Sequence, residues 1–365
     1  MIKVITEWRD FDSLKDDWEA LLRQSDADNI FLTWEWINCW QKAQEAPLKP
    51  YIIVIQEDLK PIAIAPFYMQ MYRLVNLVTY KALRCLGDKN SGAEYANFIV
   101  KAERSDELKT LLWGSLLSPE RKDDWDFIWF SNISAWTKGG ETLLQSLANV
   151  KKLHSHRRKV EFAQTYLNAW PTDFLPKLSK SLRTNIRQTS RRLDKTGPWK
   201  IVVSDMVDDI SETLEMLFQL HNKHWANAGG GTFQRRPELV DFYRHFVPLA
   251  LKKGWLWLLR LESQGEIQAM QLGYVYNNQF LAIQEGYNPD FIPGIGQVLR
   301  HYSFNQCLRE GLDCYDFLGV YTDHKRRWLA EKKLGVNLFI WQNKMKNTPF
   351  AVKEIWPTGR YLQPL

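Results

Sequence analysis

Hydrophobic and polar positions change period several times along the chain, and each change marks an element. From Phe11 to Arg23 apolar residues recur at helical spacing behind Asp10 and Ser13, both suited to capping, which predicts a helix. The aromatic segment IFLTWEWINCW follows. Tyr51–Gln56 and Pro61–Tyr72 are apolar runs on either side of EDLK, which predicts a hairpin. Past a loop-rich region at Leu86–Ala96, Ser105–Leu117 reads as a helix, WDFIWF (Trp125–Phe130) as a buried strand and Gly140–Ala148 as a helix.

The second half repeats that order. Helices predicted over Ser211–Asn227 and Pro237–Lys252 lead into a strand at Trp255–Leu261 and the turn SQGE. A hairpin over Ile267–Tyr287 turns at Asn277-Asn278, a pair that tolerates left-handed backbone. The loop PGIGQ opens a helix reaching about Glu310, followed by the strand CYDFLGV, a helix over Lys325–Leu334 and the strand NLFIW. YIIVIQEDLKPIAIAPF has the pattern of LWLLRLESQGEIQAMQL, and Trp125–Ile128 (WDFI) that of Tyr315–Leu318 (YDFL). The expectation is a mixed α/β chain built from a duplicated unit, with PGIGQ kept in the second copy alone. It divides the chain into domains at 1–150 and 201–365, joined by 151–200.

Composition sharpens this in three places. At 365 residues, 45% hydrophobic and 25% charged, the chain is long enough for two cores and is not of the disordered class. The net charge of +6 is concentrated in residues 151–200, which hold 13 Lys/Arg against 3 Asp/Glu. There a helix predicted from Pro171-Thr172-Asp173 to about Lys195 sets Leu182, Ile186 and Leu193 on one face and Arg183, Arg187 and Arg191 on another. Such a stripe is either a solvated face or one that meets an anion. The four cysteines form no CxxC pair, the N-terminus is charged at once, and the longest charge-free run, Ile267–Gln284, contains the hairpin turn. A cytoplasmic protein with reduced thiols and no membrane span is expected. The pairs His154/His156 and His221/His224 lack a third ligand in any familiar pattern, so no metal is expected.

Candidate chemistry centres on QFLAIQEGYNPDFIPGIGQVL. Pro293, Gly294 and Gly296 leave little side-chain bulk, so consecutive amides around Ile295 and Gln297 can turn toward one anion ahead of a helix N-terminus. A pyrophosphate, such as that of an acyl-coenzyme A, fits that device. Glu285 ends the strand feeding the loop and is the first candidate general base, with Asp316 the second. An alkylamine nucleophile with a pKa of ~10.4 carries a deprotonation cost on the order of 4.6 kcal/mol near neutrality, which a base or a desolvating pocket must offset. His324 and Tyr321 are candidates to protonate a leaving thiolate or orient an acceptor. Lys325 complements phosphates or an acidic substrate. His221 and Trp225 share a helical face and read as an acceptor wall beside the glycine-rich stretch Gly229–Gly231. Tyr287 and Arg187 complete the expected substrate contacts. The 17 Trp and 14 Tyr would suit stacking on sugar rings.

Four patches resemble a known family. They are LSKSLRTNIRQTSRRLDKTG, LFQLHNKHWANAGGGTF, EGYNPDFIPGIGQVL and DFLGVYTDHKRRW. The chain is similar in them to the CelD-like (BcsL-like) acetyltransferases associated with cellulose and exopolysaccharide biosynthesis. These belong to the GNAT superfamily of acyl-CoA N-acyltransferases and are distant relatives of the Fem aminoacyltransferases. The resemblance implies tandem GNAT-like domains and acyl transfer from acetyl-CoA or another acyl-CoA. The acceptor it implies is an amino group on a sugar, lipid-linked or cell-envelope polysaccharide precursor. His324 stands where the family usually has tyrosine, and Gly319 where arginine is common. Two alternatives stay open: a Fem-like transferase that uses aminoacyl-tRNA, and a non-catalytic accessory protein of polysaccharide synthesis.

Overall fold

The computed structural model describes residues 1–75, 77–89, 91–167, 173–203, 210–226, 230–352, 354–357 and 361–365. Two compact units are present, Met1–Val160 with Leu334–Leu365, and Glu161–Lys333. In chain order the first unit starts with β1 (Ile2–Ile5), α1 (Trp8–Asp12), α2 (Lys15–Leu22), α3 (Trp34–Lys42), β2 (Lys49–Glu57), β3 (Lys60–Leu74) and β4 (Val78–Cys85). It continues through β5 (Ile99–Val100), α4 (Ser105–Leu116), β6 (Phe127–Ile133) and α5 (Lys138–Ala148). β7 (Leu153–Tyr166) carries the chain into the second unit, which holds α6 (Lys180–Thr196), β8 (Trp199–Val203), α7 (Ile210–Trp225), α8 (Thr232–Arg235) and α9 (Pro237–Lys252). There follow β9 (Leu256–Ser263), β10 (Glu266–Tyr276), β11 (Gln279–Tyr287), α10 (Ile295–Arg309), β12 (Cys314–Gly319) and α11 (Asp323–Arg326). β13 (Glu331–Gln342) leads back to the first unit, which ends with α12 (Thr348–Val352) and β14 (Leu362–Pro364).

Strand order repeats between the two units. It is β1-β2-β3-β4-β6-β13 in the first unit and β8-β9-β10-β11-β12-β7 in the second. The fourth and fifth strands run parallel in each, β4 with β6 and β11 with β12. The other neighbours in both orders are antiparallel. The duplicated α/β reading is therefore written into the topology. Each unit is closed by a strand that comes after the other in sequence: β13 covers the edge of β6, and β7 covers the edge of β12. A bare edge at either place would present unpaired backbone groups, so the exchange satisfies both.

That exchange moves the domain boundaries away from 150 and 200. Residues 151–200 are not a linker: 151–160 belong to the first unit, the rest supply the end of β7 and the α6 helix to the second, and residues 334–365 belong to the first. Smaller differences have local causes. The helix expected over Phe11–Arg23 is two helices, broken where the Ser13 hydroxyl donates to the Asp10 carbonyl at 2.7 Å. The helix expected over Lys325–Leu334 is confined to α11, because Glu331 onward is drawn into β13. Residues 171–172, the expected start of the basic helix, lie outside the described residues. α6 begins at Lys180, with the Ser179 hydroxyl accepting from the Leu182 amide at 3.3 Å. Both hairpin turns behave as read, with positive φ at Asp58-Leu59 and Asn277-Asn278.

Each unit has its own core. The first buries Ile53, Phe67, Phe98, Trp113 and Phe130 in one cluster and Tyr80, Phe127, Phe339 and Phe350 in another. The second buries Phe280, Phe304, Tyr315 and Trp328 beneath α6 and α10. All four cysteines are buried free thiols, and burial pushes Cys39 up to about 12, away from nucleophilic chemistry. Among the described residues no helix is long and apolar enough to cross a membrane.

Candidate active site

The site begins where two strands part. β11 and β12 pair at Gln279↔Cys314, Phe280↔Tyr315 and Leu281↔Asp316, whereas β11 runs on to Tyr287 and β12 to Gly319. The β10–β11 ladder also slips, from Leu272↔Gln284 to Gly273↔Ala282, leaving Ile283 as a bulge. The diverging ends open a cavity of ≈ 670 Å³. Its wall takes Ala282–Glu285 and Tyr287 from β11, Phe317 and Gly319 from β12, and His324 and Lys325 from α11. His221, His224 and Trp225 at the end of α7 form another side. Helix α7 can lie this close because residue 286 is glycine; a Cβ there would stand 2.6 Å from the His221 amide nitrogen.

Gly294, Gly296 and Gln297 bring the start of α10 to the rim of this cavity. Gly294 has φ +91, a conformation L side chains rarely adopt, and sits directly before the helix. Its carbonyl accepts from the Gln297 amide at 2.9 Å, and the preceding Pro293 carbonyl accepts from the Thr189 hydroxyl of α6 at 3.3 Å. The loop is thus pinned from α6. The Ile295 amide donates to the Ile292 carbonyl at 3.2 Å as Gln297 does to Gly294, so of the four amides here those of Gly294 and Gly296 are the ones not already turned to a backbone carbonyl. Of the five residues expected to hold a pyrophosphate, Gly294, Gly296 and Gln297 line the cavity; Pro293 is exposed outside its lining, and Ile295 is in the core, 1% exposed.

Beside them lies a charged network. Glu285 accepts from the Arg300 Nε at 3.1 Å and from its Nη2, and from the Gln271 side-chain amide at 2.7 Å. Gln271 Nε2 also donates to the Tyr315 hydroxyl at 2.7 Å. Arg300 is buried, packed 5.4 Å from the Trp328 ring and 5.8 Å from that of Phe317. Its third donor, Nη1, meets His324 Nε2 at 2.9 Å. Burial first, and then the Arg300 charge, hold His324 below its ordinary pKa, so its imidazole is neutral at pH 7.

The remaining expected residues fall in different places. His221 donates from Nδ1 to the Glu285 carbonyl at 2.8 Å and accepts at Nε2 from the Thr232 amide at 3.3 Å. With both nitrogens engaged and burial depressing its pKa, it ties α7 to β11. Trp225 is 43% exposed and faces the cavity, stacked on His224 at 4.7 Å; His224 in turn lies 3.7 Å from Tyr287. Asp316 is fully buried beneath the site, accepting from the Leu318 amide at 2.7 Å and from Gln164 at 3.0 Å. Lys325 Nζ donates to the carbonyls of Phe317 (2.9 Å), Leu318 (3.3 Å) and Gly319 (2.9 Å), bracing the end of β12. Tyr321 packs against the second core with Lys332 Nζ 5.1 Å from its ring. Arg187 is exposed on α6, across the helix from Thr189. Sequence reasoning missed Arg300, Gln271, Tyr315 and the place of His224. The signal available was an arginine one turn after Gln297 among Ile295, Val298 and Leu299, a polar residue inside an apolar helix face.

Residues 180–326 match the family model described as an acetyltransferase (GNAT) domain. The second unit accordingly carries a GNAT acetyltransferase fold. Over the whole chain the fold is similar to that of FemX, with 10% identity, a TM-score of 0.66 and coverage of 97% of this chain and 100% of that one. It is also similar to the C-terminal domain of a putative lysylphosphatidylglycerol synthetase from Agrobacterium fabrum, with 13% identity, a TM-score of 0.55 and coverage of 94% and 96%. A conserved protein of unknown function from Bacteroides thetaiotaomicron shares 13% identity at a TM-score of 0.56, covering 94% of this chain and 100% of that one. Identities this low speak for fold alone. No curated protein sequence matches the chain.

Proposed function

We propose that the protein is an acyl-CoA-dependent acyltransferase acting on an amino group of a sugar, lipid-linked or other cell-envelope polysaccharide precursor. The divergence of β11 and β12 past Leu281/Asp316, beside the glycine loop that opens α10, carries this reading. In it, the donor's pyrophosphate takes the amides of Gly294–Gln297, and its acyl end lies between Ala282–Glu285 and Phe317–Gly319. The motif resemblance to CelD-like acetyltransferases supports the choice of acceptor. Glu285 is the candidate base. Its carboxylate is anchored by Arg300 and Gln271 at the cavity wall, where it attracts an ammonium acceptor and takes its proton through water. Trp225, His224 and Tyr287 supply an aromatic acceptor wall.

Acetyl-CoA at a hundredfold excess over its Kd should stabilise the protein by about 2.7 kcal/mol in thermal denaturation. Absence of binding at millimolar acetyl-CoA overturns the reading. A second reading, an aminoacyl-tRNA donor, draws on the FemX-like fold and on Arg187 and Arg191 standing exposed on α6. It requires tRNA binding that weakens steeply with salt, as backbone contacts do.

A further inference from the structure

We propose that His324 acts as a neutral hydrogen-bond donor to the thioester oxygen and that Arg300 is the positioning residue that fixes it in that tautomer. The proposal rests on the acyl-CoA reading above.

Arg300 reaches His324 Nε2 at 2.9 Å through Nη1. A guanidinium has donors and no acceptor, so Nε2 must offer its lone pair and carries no proton. The ring's single proton therefore sits on Nδ1. Arg300 cannot turn aside, since its Nε and Nη2 are committed to Glu285 and the side chain is buried near the Phe317 and Trp328 rings. The backbone of His324 is fixed as well. The Thr322 hydroxyl accepts from the Lys325 amide at 3.3 Å, and Lys325 Nζ grips the three carbonyls that end β12.

The charges around the ring agree with this state. Glu285 favours a second proton on His324, whereas burial, Arg300, Arg327 and Lys325 all oppose it. A proton added at Nε2 would point an N–H at the N–H of Arg300. His324 is thus unsuited to giving up a proton as an acid, and suited to donating a fixed hydrogen bond where negative charge collects. In the transfer, the acceptor nitrogen bonds to the thioester carbon and the C=O π pair moves onto oxygen, facing Nδ1–H. The pair returns as the C–S bond breaks. CoA leaves as thiolate, and the proton lost by the nitrogen reaches the sulfur through water. His324 keeps its own proton throughout.

The test is infrared spectroscopy of acetyl-CoA labelled with ¹³C at its carbonyl and bound to the full-length protein, which needs no acceptor. Binding should shift the carbonyl band to lower frequency, with no dependence on pH from about 7 to 8. His324→Asn, whose amide N–H replaces Nδ1–H, should keep the shift. His324→Gln, whose amide replaces Nε2, should lose it. Arg300→Lys cannot hold both partners, so its shift should be weak at neutral pH and recover on acidification as the imidazole, freed from the guanidinium, takes up its second proton. The same band in the wild type and in the Asn and Gln variants, with acetyl-CoA bound in all three, overturns the proposal. No acetyl-CoA binding to the wild type overturns the acyl-CoA reading instead, and the two failures are read from separate measurements.

Discussion

In the first unit the parallel pair β4/β6 closes at Arg84↔Trp129, and β4 stops at the next residue, Cys85. In the second, β11 continues past its last partner and the gap becomes a cavity. The difference lies in the connection that leaves the fourth strand. Residues 288–294 of the second unit are a short glycine loop leading straight into α10. The connection from β4 to α4 in the first is longer, and parts of it lie along the sheet: the Tyr95 amide donates to the Asn132 carbonyl at 2.9 Å, and β5 pairs with β3. Trp36 and Trp40 of α3, both fully buried, donate to Ser91 (3.2 Å) and to the Lys89 carbonyl (2.5 Å) of that loop. Both units also bury an arginine–carboxylate pair, Arg84–Asp88 and Arg300–Glu285. In the first, the Arg84 guanidinium lies 4.2 Å from the Trp129 ring, in an aromatic core. In the second, Arg300 turns its spare donor toward His324 in the cavity wall. Among the described residues, one sheet order thus carries two different connections after its fourth strand, one laid along the sheet and one beside an open cavity.

The largest expected effects come from breaking the two pairs separately. Asp88→Leu leaves Arg84 buried without its carboxylate and should cost about 3–5 kcal/mol of stability, at the upper end because the Asp88 side chain is 3% exposed. Acetyl-CoA affinity of the protein that remains folded should be unchanged. Glu285→Leu should cost less, since the Glu285 side chain is 29% exposed, yet should abolish acyl transfer. Urea denaturation combined with hydrogen exchange assigns each loss to a unit; equal loss of acetyl-CoA affinity in both variants would break the comparison.

Two changes confined to the open unit come next. Lys325→Met removes a charged donor from three carbonyls and should destabilise by about 1.5–3 kcal/mol, with protection against exchange lost first over residues 314–326. Gly296→Val puts a Cβ 3.2 Å from the Tyr287 ring at the cavity rim. Acetyl-CoA should bind it about tenfold more weakly, or about 1.4 kcal/mol, by titration calorimetry. An unchanged Kd would remove the α10 N-terminus from the donor site.

Legibility in the amino-acid sequence divides along the line between local and distant signals. Strand alternation, the Asn277-Asn278 turn and PGIGQ are local, so the element order, the duplication and the glycine loop are readable. The exchange of β7 and β13 is a pairing between distant segments with no local mark, so the boundaries drawn at 150 and 200 miss it. In the site, Glu285, His324, Gly294 and Gly296 are readable because each stands beside a turn. Arg300, Gln271 and Tyr315 sit inside regular elements, where a buried polar residue resembles any surface one until its partners are known. Arg187 shows the reverse: its spacing with Arg183 and Arg191 is conspicuous, while helix geometry turns it away from the cavity.

Acid should separate the units more gently than mutation. Burial holds His221, His224, His301 and His324, all in the second unit, below the ordinary imidazole value. Such groups take up protons in the unfolded chain first, so from about pH 6.5 downward the unfolded state binds more protons than the folded one. The second unit should keep its full stability above that pH and lose it progressively below. Hydrogen exchange compared at pH 7.5 and 5.5, corrected for intrinsic rates, should show protection falling over residues 210–326 more than over residues 49–148. A uniform fall across both would mean that the closed unit carries the acid sensitivity too.

The smallest effect expected is that of Arg187→Ala. The side chain is exposed on α6, away from the loop that Thr189 pins, so stability should stay within about 0.5 kcal/mol of wild type. Acetyl-CoA affinity should not change, because Gly294–Gln297 hold their positions through Thr189 and not through the arginine stripe. Binding of tRNA, measured against salt, distinguishes the two donors. If the stripe meets a nucleic-acid backbone, the slope of log K against log salt should fall by about 0.7–0.9 for the one contact removed. If it is a solvated face, neither the slope nor the affinity should move, and the donor site is then confined to the open strands and the loop beside them.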